Sequence, residues 1–228
     1  MPNHPSDHPG SPAPRPGARP RRGARSVEGG LELAEWLRSR VLRLAEEWCA
    51  EIRARGRGHA TVVDELVARQ VLQLTSLMPE LLGRHATRLQ GLWTRACELF
   101  GVVAAKRGLA AGEVIEEFQI LRTLVIRDLY QDPLVGGAPS LREALRLNGM
   151  IDRGVTHASV GHTDAMFFQL LEDTDAPVGL SAEQIAREAD VQLALIREEV
   201  EGIVGAAEMV DESVVDSWSA PASESADA

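Results

Sequence analysis

From Ala34 to Val210 the apolar residues recur at steps of three and four, and no segment alternates apolar with polar over the length of a strand. A step of three to four returns side chains to one face of an α-helix, whereas a strand needs a step of two. Runs of β-branched residues, which would favour strands, are absent as well. The chain is therefore expected to be all-α, a bundle of about six helices.

The first helical face comprises Ala34, Leu37, Val41, Leu44, Ala45, Trp48 and Ile52, and Gly56 and Gly58 end it. A second follows Thr61, a candidate N-cap, through Val63, Leu66, Val67, Val71 and Leu74. Pro79 is expected in a first helical turn, so a new helix is placed from about residue 77 to Arg107, bending near Gly83. Its stripe is Leu89, Leu92, Trp93, Ala96, Leu99, Phe100 and Val103, and Gly108 takes the C′ position. The next spans about 111–131 on Val114, Phe118, Leu121, Val125 and Leu129, and Asp132-Pro133 stops it.

Ser140 and Glu143 form a capping box that opens a helix reaching Leu171, weakened by Gly149, Gly154 and Gly161. Ser181 and Gln184 form a second capping box. It opens a last helix, 181–210, with Ala189, Leu193, Ile196, Val200, Ile203, Ala207 and Val210 spaced alternately four and three. Leu193, Ile196, Val200 and Ile203 are the centre of this heptad seam, which serves either the bundle or a contact between subunits.

The flanks differ from this pattern. Residues 1–30 hold seven prolines and five arginines against Asp7 and Glu28, and they are read as a disordered basic tail. Residues 211–228 hold five acids and no Lys or Arg, and they are read as a disordered acidic tail. Between them, 31–175 is the expected helical domain. The net charge of −10 gives the folded part no general attraction for nucleic acid, although the Arg15–Arg22 run could touch nucleic acid or an acidic partner.

Chemistry is hard to find. Cys49 and Cys97 lie within helical patterns and are expected as buried thiols, too few for a disulfide framework. His157 and His162 are five apart, about 140° around a helix, a poor chelate, and no ordered His follows an acid by three or four residues. Ser159-Val160-Gly161 is half of a nucleophile elbow without the strand–turn–helix setting that gives the motif meaning. Glu46-Glu47, Glu116-Glu117 and Glu198-Glu199 point about 100° apart and read as solvated faces. No metal or cofactor and no enzyme activity is expected. The uncharged stretch Gln70–Pro79 is far short of a membrane span, and the N-terminus lacks an apolar signal core, so the cytoplasm is the expected location.

One pattern points to a family. Ala105-Lys106-Arg107-Gly108-Leu109, a short spacer, and Glu117-Phe118-Gln119-Ile120-Leu121-Arg122 resemble an Arg-Gly turn followed by a Glu-(Tyr/Phe)-x-x-Leu-Arg helix. That sequence of features belongs to the N-terminal sensor domain of RsbR-type proteins, the RsbT co-antagonists of bacterial stress signalling, also found ahead of some histidine kinases. Trp48, Ile52 and Met78-Pro79-Glu80-Leu81-Leu82 extend the resemblance, which covers about 33–171. It implies a globin-like domain without haem that dimerises and signals to an output module. Arg107, Glu117 and Arg122 become candidate partner- or signal-binding residues. Glu117 and Arg122, five apart, are expected to reach neighbouring helices and not each other. No STAS serine or kinase motif follows residue 180, so a separate STAS-domain protein or kinase is the expected partner of a stand-alone, homodimeric regulatory module. A small-molecule sensor with a pocket between helices is the alternative.

Overall fold

The computed structural model describes residues 24–55, 61–132, 141–172 and 182–219. Among them are seven helices and no strand: α1 (Ala24–Arg38), α2 (Val41–Arg55), α3 (Thr61–Leu82), α4 (Ala86–Lys106), α5 (Ala111–Gln131), α6 (Leu141–Glu172) and α7 (Ala182–Ser219). The all-α expectation holds. The run Arg15–Arg22 and the caps Ser140 and Ser181 lie outside the described residues.

Three boundaries differ from the sequence reading. The first expected helix is two, broken at Ser39–Arg40. The Ser39 hydroxyl and the Arg40 guanidinium both donate to the Trp36 carbonyl, at 2.8 and 3.0 Å, and cap the end of α1. The Arg40 guanidinium also stacks 4.5 Å from the centre of the Trp36 ring. The corner is invisible to periodicity because Leu37 and Leu44 are both buried on either side of it. The second difference is at Pro79, which lies in the last turn of α3 and does not start a new helix. Leu74, Leu77, Met78 and Leu82 are all buried there, and that burial outweighs the single backbone bond a late proline removes. The break falls instead at Gly83–His85, where the Gly83 N–H donates to the Pro79 carbonyl at 3.0 Å. Third, the terminal helices are longer than expected: α1 begins at Ala24 and α7 continues to Ser219, into segments read as tails.

The main core joins residues from all seven helices around three rings, Trp48, Phe100 and Phe118, whose centres are 5.4–5.7 Å apart. α4 and α6 are the most intimate pair, and the reason is glycine. A Cβ on Gly101 would fall 1.9 Å from the Ala158 carbonyl oxygen, and one on Gly161 would fall 2.1 Å from that of Glu98. A Cβ on Gly154 would meet the rings of Phe118 and Trp93 at 2.7 and 2.9 Å. Gly154 and Gly161 thus serve packing, whereas Gly149 meets nothing within 4 Å.

The heptad helix packs within its own chain, against α3 and α4. Ala186, Ala189 and Leu193 join Leu66 and Val103 in a second apolar cluster, Ile196 enters the main core, and Val200 and Ile203 pack against it. Arg69 holds Asp190 with two bonds of 2.8 and 2.9 Å, Lys106 meets Glu188 at 3.2 Å, and Arg95 pairs with Glu199. Charge introduced at Ile196 would therefore perturb the bundle itself and would not isolate a contact between chains.

Candidate functional site

α4 leaves its last turn through Gly108, at φ +77°, the left-handed region that a Cβ disfavours. The Leu109 N–H donates to the Ala104 carbonyl at 3.1 Å and the Gly108 N–H to that of Ala105 at 2.9 Å, the paired bonds of a Schellman cap. The Glu113 carboxylate accepts the Ala110 N–H at 2.7 Å and starts α5. Gly108→Ala is expected to lower stability by about 1–2 kcal/mol, read as a lower urea midpoint at unchanged slope.

This tight reversal brings two of the three candidate residues together. Arg107 donates to both carboxylate oxygens of Glu117, at 2.8 and 3.2 Å, and the two side chains are only 4% and 10% exposed. The Trp48 indole donates to the Glu117 carbonyl at 2.7 Å. The ring of His162 donates from Nε2 to the Leu109 carbonyl at 2.7 Å. α2, α4, α5 and α6 thus converge on one turn. The third candidate, Arg122, pairs with Asp152 of α6 at a more exposed position. Glu117 and Arg122 face different helices, and the three residues do not form one site.

The remaining polar candidates occupy ordinary helix positions. His157 contacts the Thr94 hydroxyl at 3.1 Å and Glu98 at 3.4 Å, so it and His162 have different partners. Among the described residues no three potential ligands come together for a metal ion. The Ser159 hydroxyl donates to the Val155 carbonyl of its own helix at 2.8 Å. Cys49 and Cys97 are both free and buried. Burial pushes the Cys97 thiol well up and that of Cys49 up to a lesser degree, so both remain protonated at neutral pH.

Two features emerge that periodicity did not single out. At the C-terminal end of α6, Met166, Phe167, Phe168, Leu170 and Leu171 are 40–69% exposed. These residues, interrupted only by Gln169, spread over about 200° of the helix circumference, and together they leave several hundred Å² of apolar surface, large for a single chain. The sequence signal was an apolar run. The second feature is a cleft of about 220 Å³ lined by Leu81, Ala86, Thr87, Gln90, Trp93 and Arg153. Nothing in the sequence spacing links these residues, because they come from three helices.

Comparison of the chain with family models, curated proteins and solved structures gives no match.

Proposed function

We propose that this chain is a non-enzymatic regulatory module that works by protein contact, with the end of α6 as its contact surface. The observation that carries the reading is the exposed cluster of Met166, Phe167, Phe168, Leu170 and Leu171. Phe and Met side chains of this kind are enriched at the buried centre of protein interfaces. Leu193 and Ile196 at the centre of the α7 seam, which could have filled that role, are buried within the chain, and Val200 and Ile203 pack against its core. The resemblance of the 105–122 segment to RsbR-type sensor domains supports a place in bacterial stress or two-component signalling. On that reading the domain is a globin-like, non-haem, homodimeric protein of the cytoplasm, and its partner is a STAS-domain protein or a kinase. No helix among the described residues is long and apolar enough to cross a membrane.

The test is capture of partners by tagged full-length protein, beside a Phe168→Glu/Leu170→Glu variant. Both positions are exposed, so the variant should unfold at the same temperature as the parent. Recovery of a signalling protein by the parent and at least a tenfold loss in the variant is the expected result. Equal recovery by both proteins would remove the α6 end from the contact, and recovery of no signalling protein by either would reject the reading.

A further inference from the structure

His162 ties α6 to the Leu109 carbonyl, in the turn between α4 and α5. From Thr163 to Leu171 every residue except Ala165 is exposed. At 1.5 Å per residue that is about 14 Å of helix, more than two turns. Met166, Phe167 and Leu170 stand at i, i+1 and i+4, a spacing by which one helix anchors on another, and Phe168 lies beside them.

Negative charge brackets this apolar patch. Asp164 is exposed and lies one turn before Phe167 and Phe168 on the same side of the helix. The last turn of α6 contains no basic residue, so its own side chains do not compensate the negative pole of a 32-residue helix. Between Arg153 and Arg187 the sequence has five acids, Asp164, Glu172, Asp173, Asp175 and Glu183, and neither lysine nor arginine. The first turns of α5 add Glu113 and Glu116, both exposed. Where α4, α5 and α7 meet, Lys106 pairs with Glu188 and Arg107 with Glu117, which leaves Arg187 to set against these acids. A second copy of the chain, or an anionic lipid surface, would bring more of the same sign against the patch. A surface with lysine or arginine beside its apolar residues complements it.

We propose that the end of α6 docks a basic amphipathic helix of a partner protein. Its apolar side packs on Met166, Phe167 and Leu170, and its lysines or arginines meet Asp164 and the negative end of α6. The inference rests on the reading of this surface as a contact site and adds the chemistry of what it contacts. A patch of several hundred Å² is at the small end of specific interfaces, so the contact should be micromolar and should weaken as salt rises.

The test uses full-length protein and three labelled peptides of equal length: an amphipathic leucine/lysine helix, the same peptide with glutamate for lysine, and the same peptide with serine for leucine. Fluorescence anisotropy should show saturable, micromolar binding of the leucine/lysine peptide and at least tenfold weaker binding of the other two. Phe167→Ser/Leu170→Ser keeps the charge and alters exposed positions, so it should unfold at the parent's temperature and bind that peptide at least tenfold more weakly. Asp164→Asn should lose about two- to fivefold, the size of an exposed ion pair. Equal binding of the leucine/glutamate peptide would overturn the basic partner and leave the contact surface standing. Equal binding of the serine/lysine peptide, or an unchanged affinity in Phe167→Ser/Leu170→Ser, would reduce the effect to the net charge of −10 and overturn the docking. No saturable binding of any peptide would overturn it too, while partner capture would still judge the contact surface. Sedimentation of the parent as a dimer that the same variant dissolves would assign the face to a second copy. Co-sedimentation with phosphatidylcholine vesicles, lost in the variant, would assign it to lipid, and either result overturns the proposal.

Discussion

Truncation of Glu117 to alanine should lower stability by about 3–5 kcal/mol, among the largest effects available to a single substitution in this chain. The glutamate holds both prongs of Arg107 in a pair that water barely reaches. Without it the guanidinium stays at the end of α4, buried and uncompensated, and it must either carry the desolvation cost or pull the α4–α5 turn open. The comparison that isolates the charge is Arg107→Met/Glu117→Leu. A buried ion pair replaced as a unit by apolar residues is often close to neutral, so the double variant should recover most of the loss. Urea unfolding of the parent, Arg107→Met, Glu117→Leu and the double variant closes a thermodynamic cycle. A loss below about 1 kcal/mol for the single variant would mean that the pair is solvated and the turn is held by its backbone bonds alone.

The second large effect should come from adding one methyl group. Gly101→Ala and Gly161→Ala each place a Cβ about 2 Å from a carbonyl oxygen of the facing helix, a distance no packed structure tolerates. The obstacle is backbone, which cannot rotate away as a side chain could, so α4 and α6 must separate along the most intimate contact of the core. Lost dispersion and opened packing should cost about 3 kcal/mol or more, the upper part of the range for overpacking. Gly149→Ala in the same helix should move stability the other way, by about 0.5–1 kcal/mol upward, because its Cβ would meet nothing and alanine suits a helix better. Thermal unfolding reads both signs. Equal, small effects at all three sites would show that the helices do not approach as closely as these distances require.

Much of the fold was legible in the sequence because helix formation and termination are local. The burial stripes of α2, α4 and α5, the stop after Gln131 and the glycine at 108 each depend on residues within a turn or two of one another. Pro79 misled for the same reason. Its local cost is real, but Leu77, Met78 and Leu82 repay it through contacts with distant segments. The Ser39–Arg40 corner was hidden because a bend that keeps its apolar face on the core leaves the periodicity intact. Arg107, Glu117 and Arg122 were singled out by their motif, yet which of them pair was not legible. Arg107 meets Glu117 only because the Gly108 turn folds α5 back on α4, and Arg122 meets Asp152 only because α6 lies alongside.

The sequence by itself determined that this chain is helical, where most helices end, and which face of each is apolar, since these follow from spacing and capping over a few residues. The tertiary structure alone decided which apolar faces meet. It folds the α7 seam onto α3 and α4 and leaves large apolar side chains exposed near the end of α6, and it sets Trp93 beside Arg153. The physical reason is that periodicity defines a face without defining its partner. Partners are selected by shape and charge across the whole chain, where a missing Cβ at Gly101 or Gly161 counts for as much as a buried leucine.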